Sequence, residues 1–247
     1  MAKTEDYTLI GIDCAVQSSN IGIAIGRVVD GVTVVERLYA GNKDPAAIIA
    51  AAIARPALLA FDSPLGWPAD LGSTLAAHRA GDPIDVGPNT LFRRETDRFV
   101  KQAVGKQSLD VGADRIARTA HAALNLLADV RARVDIPIEL AATQDDRPGA
   151  LCFEVYPAAT LKAHAIDARG YKGKKPENID ARRRLIDALK PRLRIEESEI
   201  DTALATDDAL DAAVCCLSAA DFLAGDCFEP DDVALAEKEG WIWVRRP

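Results

Sequence analysis

Residues 7–39, YTLIGIDCAVQSSNIGIAIGRVVDGVTVVERLY, contain three short runs rich in β-branched residues: 7–15, 21–29 and 32–39. Asp30-Gly31 between the last two is a strong hairpin signal, because two-residue turns need positive φ at their central positions. Strands joined this closely predict an antiparallel three-strand meander. In the first run Asp13 follows Ile10-Gly11-Ile12. A carboxylate in such a strand is expensive to bury unless it is paired or bound to a metal.

Outward from the meander, residues 45–54 read as an alanine-rich helix and 57–61 (ALLAF) as a buried strand. Asp62-Ser63-Pro64 closes that strand, since proline cannot continue a ladder. A helix between two strands implies a crossover, so this strand is expected to lie parallel to the first. Asp13 and Asp62 would then reach the same edge of the sheet. Residues 66–108, rich in Gly, Pro, Arg and Asp, read as a long loop with a short helix at 73–79, within an insertion of about 66–112. Helices are expected at 113–134, 157–166, 176–189 and 206–223, and strands at 136–140 and 151–156 (LCFEVY). The run WIWV at 241–244 reads as a final edge strand. With no repeat or clear linker, residues 1–247 are expected to form a single mixed α/β domain.

At 49% hydrophobic and 28% charged residues, the chain is too apolar to be intrinsically disordered. The apolar run at 46–54 falls well short of the roughly 20 residues of a membrane-spanning helix. Residues 1–7 carry no apolar signal segment, so a cytoplasmic location is expected. The five cysteines fit that compartment: they are odd in number and lack a C-x-x-C pair. With only three scattered histidines, carboxylates are the abundant metal ligands.

A net charge of −8 argues against indiscriminate nucleic-acid binding, but its distribution is uneven. Residues 169–194 hold ten basic and three acidic side chains, a window of +7. Residues 195–239 hold fourteen acids and one lysine, a window of −13. Lys172, Lys174 and Lys175 lie in a flexible loop, GYKGKK, with one aromatic residue, a composition suited to phosphate contact. Arg94 and Arg98, with Arg93 and Lys101, form a second candidate patch. Arg182, Arg183 and Arg184 read equally as the solvated face of a helix.

Five acids stand out as catalytic candidates: Asp13, Asp62, Glu154, Asp208 and Asp211. Asp208 and Asp211 are three apart on one helix face and precede the apolar run 212–220. Asp208 alone is also read as a helix-dipole partner, with Thr206 as the cap, and Asp62 as a turn former. Glu154, inside a strand, is either a ligand, a positioning group or the partner of an arginine from the basic segment. A cluster of such carboxylates is stable around cations, and oxygen ligands favour Mg²⁺ or Mn²⁺.

A meander with Asp in its first strand, an acid closing the fourth and D-x-x-D in a late apolar helix resembles the ribonuclease H-like fold. IGID at 10–13 and DALDAAV at 208–214 are similar to the first strand and late helix of Holliday-junction resolvases. More closely, LIGIDCA, FDSPLGWP, CFEVYPAATL and DDALDAAVCCLSAA, supported by EGWIWV at 239–244, resemble domain-of-unknown-function family 429. That family is generally described as predicted nucleases of the ribonuclease H-like fold. The resemblance implies a mixed sheet, the antiparallel meander plus parallel strands, flanked by helices. It also implies two Mg²⁺ or Mn²⁺ ions, with Asp13 bridging them and Asp62 and either Asp208 or Asp211 each completing one coordination sphere. Asp62 departs from the longer glutamate of the resolvases, and Glu154 has no counterpart in their pattern.

A nucleic-acid substrate is therefore expected, and a membrane partner is not. Two other classes share the fold: actin-like or sugar-kinase phosphotransferases, to which Ser18-Ser19-Asn20 following Asp13 would be relevant, and noncatalytic binding proteins. The aromatic end Trp241-Ile242-Trp243, read as exposed, suggests a contact for a homodimer.

Overall fold

In a computed structural model the described residues are 6–53, 56–112, 114–144 and 149–247. Residues 1–5, Ala54 and Ala113, on which a leader reading and two expected helix ends fall, lie outside them. The meander forms as expected from β1 (Thr8–Asp13), β2 (Gly22–Val29) and β3 (Val32–Ala40). Asp30 and Gly31 both take positive φ in the hairpin turn. Helix α1 (Pro45–Ala52) opens on Asp44, whose carboxylate accepts from the Ala47 amide at 3.1 Å, and returns the chain to β4 (Ala57–Asp62). β4 is parallel to β1 in a register that sets Asp13 beside Asp62.

Residues 66–112 are more helical than expected. In place of one short helix at 73–79 there are three: α2 (Ala69–Ala76), α3 (Pro88–Phe92) and α4 (Glu95–Val104). α4 reads poorly as a helix because its buried face mixes Thr96 and Asp97 with Val100 and Val104. Next come α5 (Asp114–Arg131), β5 (Ile138–Leu140), β6 (Ala150–Glu154), α6 (Pro157–Ala163) and α7 (Pro176–Leu189). A short strand with no clear sequence signal, β7 (Leu193–Ile195), precedes α8 (Ile200–Ala205), α9 (Asp207–Leu223) and α10 (Val233–Glu239).

The seven strands run in the order β5-β6-β4-β1-β2-β3-β7. The central part, a meander flanked on its β1 side by parallel strands, is the ribonuclease H-like arrangement within an α/β fold. Alternation of side chains divides the core into two layers. Leu9, Leu58, Ala60 and Phe153 face α9, whereas Ile10, Ile12, Leu59 and Phe61 face α1 and α5. Asp13 and Asp62 share the parity of Leu9 and Leu58, so they project toward α9.

α9 lies almost directly on the sheet because two glycines admit it. A Cβ on Gly11 would come within 2.0 Å of the Ala212 carbonyl oxygen, and one on Gly22 within 2.1 Å of the Asp208 carbonyl oxygen. Cys215 and Cys216 fill the same interface as small buried side chains. All five cysteines are free thiols.

The C-terminal run 241–244 is not an exposed edge strand. It lies against the end of β6, with the Trp243 amide donating to the Glu154 carbonyl at 2.9 Å and a single bridge between Glu154 and Ile242. Trp241, Ile242 and Trp243 are at most 4% exposed. Trp243 meets Phe222 edge-on, and Phe222 stacks on Phe153 at 4.6 Å between ring centres. These rings are committed to the core and leave no aromatic patch for a second copy. Among the described residues no helix is long and apolar enough to cross a membrane.

Candidate metal centre

β1 and β4 end side by side and present Asp13 and Asp62 to the first turns of α9. Thr206 caps α9, its hydroxyl accepting from the Ala209 amide at 3.0 Å, and this fixes where Asp211 emerges. Asp13, Asp62 and Asp211 each offer a carboxylate oxygen, and the three atoms lie within 4.8 Å of one another. Asp211 is 1% exposed. Both of its oxygens are engaged, one by the Tyr171 hydroxyl at 2.6 Å and the other by the Lys172 ammonium at 2.7 Å. Asp13 and Asp62 accept no hydrogen bond and make no ion pair among the described residues.

This lack of partners has an electrostatic consequence. Burial, then repulsion by Asp62, Asp211 and Asp208, raises Asp13 well above the usual carboxylate range. Burial, then Asp211, raises Asp62 to about 7, with Lys172 acting in the opposite sense. Asp211 is also raised, by burial, although Lys172 and Tyr171 oppose the shift. Like charges converging in a desolvated space favour protonation or a cation. Cys14, next to Asp13, is pushed well up by burial and then by Asp13 and Asp62, so its thiol is held protonated.

Asp208 stands one turn before Asp211 and outside the close triad. Burial and Asp207 raise it, and it in turn raises Asp13, so it acts on the cluster through its charge. Glu154 lines the same cavity as Asp13 and Asp62 but stays out of the triad for a geometric reason. It shares register with Phe61, not with Asp62, and therefore projects to the other side of the sheet. There its carboxylate accepts from the Arg94 guanidinium at 2.6 and 2.7 Å and from the Leu65 amide at 2.6 Å. Its partner is thus an arginine of the 66–112 segment, not one of the basic 169–194 window.

That pairing removes Arg94 from the candidate phosphate contacts. Arg94 is 1% exposed and donates to Glu154, to both oxygens of Asp97 and to the Glu239 carbonyl. Arg98 lies on the exposed outer face of α4 and donates to the carbonyls of Asn89 and Arg93. Lys174 is exposed and close enough to lower Asp208, whereas Lys175 starts α7 and sits 3.9 Å from Glu177. Only Lys172, of the five predicted basic contacts, joins the carboxylates directly. The Ser18–Asn20 turn is exposed.

Two residues that matter to the site carry no functional signal in the sequence. Arg182 is 0% exposed, and its guanidinium donates to the carbonyls of Tyr171, Gly173 and Leu204. It clamps the loop that supplies Tyr171 and Lys172, whereas Arg183 and Arg184 are the solvated face expected of the helix. Tyr171 was visible only as the aromatic member of the lysine loop. Its hydroxyl orients Asp211.

The family model described as Protein of unknown function (DUF429) matches residues 10–235. The chain belongs to this family. No curated protein and no solved structure matches it. The DUF429 match spans all three carboxylates of the triad together with Tyr171, Lys172 and Arg182. Within this family member, the block FDSPLGWP combines two functions in space. Asp62 faces the triad, while Leu65 donates its amide to the buried Glu154–Arg94 pair.

Proposed function

We propose that the protein is a metal-dependent nuclease, hydrolysing nucleic-acid phosphodiesters at the carboxylates of Asp13, Asp62 and Asp211, with Asp208 at the margin. The observation that carries this reading is the unpartnered state of Asp13 and Asp62 within 4.8 Å of Asp211. The donor set fits a hard divalent cation: it is all oxygen, and no histidine lines the cavity beside it. Asp13, Asp62 and Asp211 would hold Mg²⁺ or Mn²⁺, two ions in this reading, since such ions prefer oxygen ligands. Such ions would polarise a phosphoryl oxygen and lower the pKa of an attacking water, which removes the need for a histidine base.

The chain's own residues would supply the rest. Tyr171 and Lys172 hold Asp211 in one orientation, and Arg182 holds the loop that carries them. Lys172 keeps its side chain 56% exposed, so its ammonium is available to a phosphate as well as to Asp211. Burial by itself would lower Lys172, but Asp211, Asp62 and Asp13 outweigh it and keep the group cationic. Cytoplasmic residence is part of the same proposal, supported by five free thiols. The test is Mn²⁺-dependent cleavage of labelled DNA and RNA by the wild type and by Asp13→Asn. Cleavage lost in the folded variant supports the reading, and cleavage retained by it contradicts the site.

A further inference from the structure

Beside the carboxylates is a half-open cavity of about 410 Å³, lined by Asp13, Asp62 and Lys172 and, on another side, by the mutually paired Glu154, Arg94 and Asp97. Part of its wall comes from the 106–119 stretch, through Lys106, Ser108, Leu109 and Thr119. A second cavity, of about 580 Å³, lies next to it on the α6 side. The two share Lys106, Ala158 and Lys172, so they adjoin, with two cations at the neck between them. The second cavity adds Lys162 and Arg169, and its only carboxylate in the lining is Asp167, which is paired to Arg169 at 2.7 Å.

Lys106 is held at the neck by its surroundings. Lys162 donates to the Gly105 carbonyl at 2.8 Å, Tyr156 donates to the Gln107 carbonyl at 3.2 Å, and Ser108 donates to Asp97 at 2.9 Å. Lys106 itself is half-buried and has no ion-pair partner among the described residues. Leu109, 67% exposed, stands in the lining of the first cavity as an apolar platform. Cations along a groove with apolar side chains between them suit a strand whose bases are free to leave a stack. Each cavity has the volume of a small-ligand site. A duplex carries its phosphates on the outside of a wide cylinder and fits a cavity of this volume less well than a single strand does.

The geometry points to single-stranded nucleic acid as the substrate class: the strand lies along the two adjoining cavities, and Lys106 positions the phosphate at the neck. This rests on the nuclease reading of the adjacent carboxylates. The test measures fluorescence anisotropy with a short labelled single strand and with the blunt duplex of the same length, both in Ca²⁺. Mn²⁺ binding is titrated separately by calorimetry. The single strand is expected to bind at least about tenfold more tightly than the duplex. Lys106→Glu should weaken single-strand binding by about tenfold, and Lys106→Gln should reduce the slope of log affinity against log salt by about one. Mn²⁺ binding should be unchanged in both variants. Equal affinity for duplex and single strand, or wild-type strand affinity and salt slope in the Lys106 variants, overturns the single-strand inference while leaving the metal site standing. A wild-type protein that binds no Mn²⁺ overturns the nuclease reading and this inference with it.

Discussion

Around Arg94, one guanidinium meets Glu154 and Asp97, and all four carboxylate oxygens accept a hydrogen bond. Around Asp13, three carboxylates converge with Lys172 as their nearest cation, and two of the three accept none among the described residues. Both groups sit near the same end of the central strands, yet one is internally satisfied and the other is not. Charge that a fold buries and satisfies is part of the structure. Charge that it half-buries and leaves without protein partners beside a buried carboxylate points to a ligand. The two clusters should therefore respond in opposite directions when one member is removed.

The largest effect is expected at the satisfied cluster. Arg94→Met would leave Glu154 and Asp97 buried without their cation and should cost about 3–5 kcal/mol, read from denaturant unfolding. The same cluster ties FDSPLGWP, α4 and the C-terminal run together, because Arg94 also reaches the Glu239 carbonyl and Glu239 accepts from the amides of Ala69 and Glu95. At the unsatisfied cluster the sign reverses. Asp13→Asn should stabilise the metal-free protein, on the order of 1 kcal/mol, by removing one of three repelling charges. The same substitution should weaken Mn²⁺ binding by more than the roughly 10- to 100-fold that follows loss of an outer-shell partner. Destabilisation of the metal-free protein by Asp13→Asn would break the contrast.

The pH dependence sharpens it further. Asp62 is raised in the folded chain from its ordinary value of 3.8 to about 7, and Asp13 is raised in the same direction. A carboxyl group with a raised folded pKa binds its proton more tightly when folded, so its contribution to stability is full below about pH 4 and is lost as pH rises through 7. In chelator, the thermal midpoint of the wild type should fall across that interval. Saturating Mn²⁺ should flatten the fall, because the cation replaces the protons. The smallest effect is expected from Tyr171→Phe, which removes one hydrogen bond to Asp211. It should cost about 1 kcal/mol of stability and lower Mn²⁺ affinity only a few-fold.

The two clusters also differ in how far they could be read from sequence. The meander and β4 follow from β-branched runs, Asp30-Gly31 and the proline after Asp62. Parallel pairing then brings Asp13 and Asp62 together with no further information. Asp211 follows from the apolar run that buries α9. The satisfied cluster was harder to read because its logic is non-local. Glu154 lies in a strand as Asp13 does, and only the register with Phe61 shows that it faces the other way. α4 has no clear helical pattern because polar residues on a buried face resemble a loop until their partners are known: Thr96 accepts from the Ile242 amide, 146 residues away, and Asp97 from Arg94, which is itself tied to Glu154. WIWV has the composition of both an edge strand and a core segment, and its seat against β6 and Phe222 decides between them. Arg182 reads as solvated for the same reason, since its four carbonyl acceptors come from the lysine loop and α8.

The most direct test of the central claim is anomalous diffraction from crystals of the wild-type protein soaked in Mn²⁺. The account predicts manganese peaks among the carboxylates of Asp13, Asp62 and Asp211, with Glu154 still bound to Arg94. Manganese absent from an intact, accessible triad, or bound at Glu154 instead, would contradict it.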